Sequence, residues 1–202
     1  MRKLFIFSVL MVVITFSTML CAQELRSSNY YVGIGGSYAF ENFDIDEDDV
    51  DLDFDDTWGL NIKAGYRFSE QLALEFNFDY LYEFEADDTE RISGIPVPVE
   101  AELQIITYMI VGKFWPWPSP GAVKPFFDVG IGLMDADLDV EVVEIDVGSE
   151  SETDFCAKLG GGVDFFLDQN VSIGAEGSYV WGFGDLDEIE YFNLTFGIAY
   201  HF

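Results

Sequence analysis

The last twelve residues, Tyr191–Phe202, read YFNLTFGIAYHF. Every second residue from Phe192 to Phe202 is a large apolar one, whereas the residues between them include Asn193 and His201. Strict alternation of this kind is typical of a β-strand whose two faces meet different surroundings. The stretch therefore predicts a terminal strand that separates an apolar environment from a polar one.

Seven earlier stretches repeat this alternation, and each reaches the roughly 9–11 residues that a tilted membrane strand needs. The fourth has no clear register, because both of its faces are largely apolar. The eight predicted strands are Tyr30–Phe40, Trp58–Phe68, Leu72–Phe84, Leu103–Trp115, Pro125–Leu138, Phe155–Leu167, Val171–Trp181 and Tyr191–Phe202.

Charge is distributed unequally between the two predicted faces. The apolar face is predicted to carry no charged residue, and Glu83 is assigned to the opposite face. The other charges of that opposite face are Lys63, Arg67, Glu75, Asp79, Lys113, Asp128, Lys158, Asp164 and Glu176. A soluble ligand-carrying barrel would have an apolar interior, whereas a membrane barrel has lipid outside and polar groups within. An open sheet would leave unpaired amides in lipid. The fold class is therefore all-β: a closed antiparallel eight-stranded transmembrane up-and-down β-barrel.

The N-terminus predicts export. Arg2 and Lys3 precede an apolar run at 4–20, and polar residues follow Ala22. This is the layout of a cleavable secretory signal peptide. We expect a signal peptide at 1–22, a barrel domain at 23–202 and localisation in the cell outer membrane. A lipoprotein signal with an acylated Cys21 ranks second, because the residue before that cysteine is not small.

The connections alternate in length. Two are tight turns, at Ser69–Gln71 and Asp168–Asn170, and a third, Pro116–Lys124, is longer and Pro-rich. The remaining four are predicted to be much longer. Short periplasmic turns and long external loops are typical of such barrels. Aromatic girdles are expected at the periplasmic rim (Tyr66, Phe68, Phe114, Phe165, Phe202) and at the outer rim (Phe40, Trp58, Tyr82, Trp181, Phe192).

Three motifs carry a family resemblance: Tyr66-Arg67-Phe68, the stretch Lys124–Gly132 (KPFFDVGIG) and the terminal Tyr200-His201-Phe202. With them the chain resembles the small, porin-like outer-membrane β-barrels typified by the membrane domain of outer membrane protein A and by outer membrane protein X. The resemblance implies that Tyr200 and Phe202 belong to the signal read by the outer-membrane assembly machinery. Outer-membrane lipid and lipopolysaccharide are the other expected partners.

The inward charges predict an ion-pair network in the lumen. Lys63, Asp79, Lys158 and Glu176 are placed near mid-membrane, whereas Arg67, Glu75, Asp128 and Asp164 are placed closer to the periplasm. An eight-stranded barrel has an interior just wide enough for side chains to fill. The favoured interpretation is a plug that satisfies buried charge, and the alternative is a gated ion or proton path.

The chain is strongly acidic, with 38 Asp and Glu against 9 Lys and Arg. Nucleic acid is therefore excluded as a partner, because phosphate binding needs a basic footprint. Ten carboxylates fall within Glu41–Asp56 and nine within Asp135–Asp154. Continued alternation there predicts hairpins that protrude beyond the membrane and offer an adhesive edge or weak binding of Ca²⁺ or Mg²⁺. Asp44–Asp48 begins like an EF-hand, but its sixth position is Asp49 instead of glycine.

No catalytic residue, cofactor or defined metal site is predicted. The only histidine, His201, is penultimate, and Cys156 is interpreted as a small lumen-facing filler. The sequence therefore predicts an integral outer-membrane barrel with a structural or surface-interaction role and acidic extracellular loops. The alternative is a small channel or passive porin-like permeation pathway.

Overall fold

The computed structural model describes residues 29–42, 55–92, 95–117, 122–142 and 145–202, and gives the backbone alone for 87–92, 95–100, 139–142 and 145–150. The predicted signal peptide and the EF-hand-like stretch lie outside these residues. Among the described residues, no helix is long and apolar enough to cross a membrane.

Eight strands form one closed barrel in which each strand pairs antiparallel with the next and the last pairs with the first. This confirms the predicted fold class, and all eight predicted strands are present in order. The strands are β1 (Tyr30–Glu41), β2 (Thr57–Arg67), β3 (Leu72–Ile92), β4 (Ile95–Phe114), β5 (Val123–Val142), β6 (Ile145–Phe166), β7 (Val171–Gly182) and β8 (Glu190–His201).

Alternate residues face the lumen and the outside, as the period of a pleated strand requires. On β8, Tyr191 is 1% exposed and Phe196 is 63% exposed, so the large apolar face points outward. The structure also fixes the register of β4. The odd-numbered residues from Ile105 to Lys113 are buried in the lumen, and the even-numbered residues between them face outward.

Strand length divides the barrel into two sides. The four strands β3–β6 have 20 to 22 residues each, whereas β1, β2, β7 and β8 have 11 or 12. The connection after the fifth strand is the hairpin that its continued alternation predicted, whereas the connection after the third strand, predicted as a long loop, is also a paired hairpin. Only residues 93–94 and 143–144 separate the strand pairs, because the acidic segments keep their alternation and pair across each hairpin.

The outer face is charged at three positions where the sequence predicted none. Asp135 and Asp137 continue the outward-facing register of β5, and Glu83 is exposed instead of inward. Glu83 was misassigned because the β3–β4 ladder shifts register between Leu81 and Phe84, which returns Phe84 to the lumen. We take these charges as the outer limit of the lipid-facing band.

Aromatic side chains cluster at both rims. At the outer rim, Trp58 stacks on Tyr82 with ring centroids 4.1 Å apart. At the rim with the short turns, Tyr200 and Phe202 meet edge to face at 5.2 Å. These are the amphipathic and apolar rings expected where a barrel crosses the two interfaces of a bilayer.

Candidate functional site

The lumen contains two layers of opposite chemistry. Toward the short turns lies the ionic half, which holds the predicted charged residues. Toward the long hairpins lies the apolar half, built from Ala39, Leu81, Phe84, Leu103, Ile105, Met109, Met134, Ala136, Val180, Leu186, Ile189 and Tyr191. The apolar half was not predicted from the sequence, although the two apolar faces of the fourth predicted strand were a signal of it.

Lys113 is the centre of the first group in the ionic half. Its Nζ lies 2.9 Å from Asp164 Oδ2 and 3.6 Å from Glu75 Oε1. The Tyr31 hydroxyl donates to Glu75 at 2.5 Å, and Trp115 Nε1 donates to Asp164 at 3.0 Å. Each carboxylate therefore has both a charged and a neutral donor, which offsets much of the cost of burying it.

The second group lies farther from the short turns. Lys158 forms an ion pair with Glu176, and both side chains are buried. Asp79 has no ion pair among the described residues, and accepts hydrogen bonds from Asn61 Nδ2 at 2.8 Å and Thr107 Oγ1 at 3.5 Å. Neutral polar side chains thus supply the hydrogen bonds that a buried carboxylate without an ion pair needs.

Three predicted network members are not paired by the described residues. Arg67 lies over the rings of Trp115 and Phe166, at 4.9 and 5.4 Å from their centroids. Lys63 has no ion-pair partner among the described residues. Asp128 is 4% exposed, and neither carboxylate oxygen receives a hydrogen bond from the described part of the chain. The predicted residues therefore share the lumen without forming one continuous network.

The connection between β7 and β8 covers the outer mouth of the lumen. Leu186 and Ile189 from this connection are buried against the apolar half. The segment is held by backbone hydrogen bonds from Gly182 N to Ile189 O and from Phe183 N to Phe155 O, both 2.9 Å. At its turn, Gly184 has φ of 67°, a conformation that favours glycine. The apolar half is therefore closed from above.

His201 has a partner that the sequence analysis did not identify. Its Nε2 lies 2.9 Å from Ser172 Oγ, and its ring packs 5.1 Å from Tyr31 and 5.2 Å from Phe166. Ser172 is only 3% exposed. A serine nucleophile must reach its substrate, so this burial favours a structural pair over a catalytic one.

Cys156 is a free cysteine, and its side chain is buried in the lumen.

Among the described residues, no group of three His, Cys, Asp or Glu side chains could hold a metal ion. Weak cation binding by the acidic segments therefore stays a prediction. Tyr200 and Phe202 point outward at the short-turn end, and their role in assembly likewise stays a prediction.

The sequence matches the model of the outer membrane protein β-barrel domain over residues 9–202. The chain belongs to this family. Membership in the outer membrane protein β-barrel family places the protein in the outer membrane, whereas cleavage of a signal peptide stays a prediction. Comparison with curated proteins gave no significant match.

Solved structures of outer-membrane proteins share the fold at low sequence identity. Neisserial surface protein A is 15% identical with a TM-score of 0.64, over 87% of this chain and 98% of that one. Ail of Yersinia pestis is 18% identical with a TM-score of 0.54, over 88% and 100%. A major outer membrane protein of Thermus thermophilus is 12% identical with a TM-score of 0.58, over 85% and 99%. These likenesses support the architecture alone.

Proposed function

We propose that this outer membrane β-barrel is a non-conducting scaffold that presents an acidic sheet edge to partners outside the cell. The observation that carries the proposal is the continuation of β3–β6 beyond the rim as paired strands, above a lumen filled by side chains. Outer-membrane lipid and lipopolysaccharide would surround the apolar band, and the assembly machinery would read Tyr200 and Phe202.

The extended sheet has one edge on β3 and one on β6, and the edge proposed to bind a partner is the one on β6. Phe155 O accepts a hydrogen bond from Phe183 N, so the backbone groups of Phe155 point toward β7. Every second residue of a β-strand points its backbone N–H and C=O to the same side. Ser149, Ser151 and Thr153 therefore present N–H and C=O groups away from β5. Within the described part of the chain, no backbone hydrogen bond reaches these groups from the β7 side. Such an edge can take an additional strand from another chain.

Charge selects the kind of strand that fits. Between Ile145 and Phe155 the sequence has four carboxylates and no basic residue: Asp146, Glu150, Glu152 and Asp154. An incoming extended segment with lysine or arginine would gain attraction as well as backbone hydrogen bonds. The proposed partner is therefore an extended basic segment of another protein.

The net charge of the chain supports a cationic partner, in contrast to the ligand of one structure with the same fold. Ail of Yersinia pestis has a crystal structure in complex with the heparin analogue sucrose octasulfate, a polyanion. The present chain has a formal net charge of −29. Its external segments would repel a polyanion, so we propose a cationic partner instead.

The test measures strand addition directly. Full-length protein in vesicles is titrated with fluorescent (Lys-Val)₄ and (Glu-Val)₄ peptides, and anisotropy reports binding. We expect only the basic peptide to bind. Ser151→Pro removes an edge donor without removing a bond to β5, so it should weaken binding, whereas Ser151→Ala should preserve it. Equal binding of both peptides, or full binding by Ser151→Pro, would overturn the proposal.

The channel alternative predicts conductance. Because both halves of the lumen are filled, we expect planar bilayers containing the protein to show no single-channel steps. Reproducible steps that change when Lys158 or Glu176 is neutralised would contradict the sealed lumen and favour the alternative.

A further inference from the structure

The short-turn mouth of the lumen contains a narrow pocket that no proposed activity uses. Its cavity volume is about 10 Å³, which is roughly the space of one water-sized group. The polar side chains that line it are Tyr31, Lys63, Arg67, Lys113, Asp164, Ser172 and His201. The pocket therefore brings together three cationic side chains and one carboxylate.

The carboxylate is already engaged. Asp164 receives Lys113 Nζ at 2.9 Å through Oδ2 and at 3.2 Å through Oδ1, and it also receives Trp115 Nε1. Lys113 is shared further with Glu75. Asp164 is thus already paired with Lys113, and the pocket has no second carboxylate for its two other cations.

Arg67 and Lys63 form no ion pair among the described residues, although Glu176 and Asp79 lie within electrostatic range of Lys63. Arg67 Nε is buried and donates to no acceptor in the described part of the chain. Its guanidinium instead rests on two aromatic rings. Lys63 forms no ion pair with the residues that the structure describes. Burying a donor with no acceptor costs free energy, and for a charged group that cost is larger.

We propose that this pocket binds one small inorganic anion, such as chloride or phosphate, between Lys63 and Arg67. The narrowness of the pocket limits the ligand to a single small ion. Bound there, the anion would connect β2 to the Lys113 group and to β8 through one set of charge-assisted hydrogen bonds. Because the anion binds only the folded barrel, it would raise the barrel's stability with its concentration.

Tryptophan emission provides the first test, because Trp115 lines the same pocket. The other three tryptophans, Trp58, Trp117 and Trp181, are replaced by phenylalanine in the full-length protein. Iodide is then titrated in detergent micelles at constant ionic strength with gluconate. We expect saturable quenching that chloride reverses by competition. Linear quenching without competition would show that no site exists.

Variants identify the residues that hold the ion. Losing a hydrogen bond to a charged group corresponds to a loss of about tenfold in affinity. We expect this loss for chloride in Lys63→Gln and in Arg67→Gln. Lys124→Gln is the matched control, because Lys124 lies at the same rim but packs on Phe166 outside the pocket.

The competition and variant results distinguish a specific anion site from diffuse electrostatic attraction. Competition by phosphate as well as chloride supports a general small-anion site, and competition by either ion alone supports a selective one. Equal weakening by Lys124→Gln and Lys63→Gln would reveal diffuse electrostatics and overturn the proposal. If the glutamine variants do not fold, Arg67→Lys keeps the charge but removes Nε, and unchanged iodide affinity in that variant would also overturn it.

Discussion

Lys113 and Ile105 lie on the same face of the same strand, yet one is held by two carboxylates and the other by apolar side chains. In the ionic half, each buried group depends on particular partners, because an uncompensated buried charge is costly. In the apolar half, stability depends on how completely side chains fill the lumen. One apolar side chain can therefore replace another of similar volume. The ionic half and the apolar half of the lumen should therefore respond differently to mutation.

The largest effect is expected in the ionic half. Lys113→Met leaves Glu75 and Asp164 without their cation and should lower the free energy of unfolding by about 3–5 kcal/mol. Urea unfolding in lipid vesicles, followed by tryptophan fluorescence, measures the loss. The control combines Lys113→Met with Glu75→Gln and Asp164→Asn. It should recover part of the stability, and a single variant as stable as the parent would refute the distinction.

A smaller loss is expected in the apolar half. Ile105→Ala removes buried volume and should cost about 3 kcal/mol, with no charge left unpaired. Its neighbour Ile106 faces outward, so Ile106→Ala is the matched control, and lipid can fill the space that it leaves. Equal losses for the two variants in the same urea assay would mean that the lumen is not close-packed at this level.

The smallest effect concerns the packing limit of the ionic half. A Cβ at Gly160 would lie 2.6 Å from Asp128 Oδ1, so Gly160→Ala should destabilise the barrel by about 1–2 kcal/mol. A Cβ at Gly112 would meet nothing closer than 3.8 Å. Gly112→Ala should therefore leave the unfolding midpoint unchanged, and a reversed order would contradict the geometry.

The sequence was sufficient for the face of each residue wherever the two faces differed in polarity. On β8, alternate residues from Phe192 to Phe202 were assigned outward, and the structure agrees. Assignment failed where local alternation was interrupted. The ladder shift between Leu81 and Phe84 depends on pairing with β4, so the sequence around Glu83 does not reveal it.

The ion pairs themselves were beyond sequence reasoning. Lys113 and Asp164 are 51 positions apart and meet because of the stagger of the closed barrel and the rotamers of both side chains. The cation–aromatic position of Arg67 depends in the same way on Trp115 and Phe166 reaching the same level. Periodicity identifies which residues enter a lumen, but the register between distant strands decides which of them touch.

The unequal strand lengths give the molecule a front and a back. β3–β6 are neighbours around the circumference, and each exceeds the others by about nine residues, or roughly 30 Å along the strand. Among the described residues, the elevated strands thus form one contiguous half of the ring. A protein approaching from that side meets a tall wall, whereas strands β1, β2, β7 and β8 end at a low rim, so the rotation of the barrel about the membrane normal would decide which of the two surfaces a partner meets.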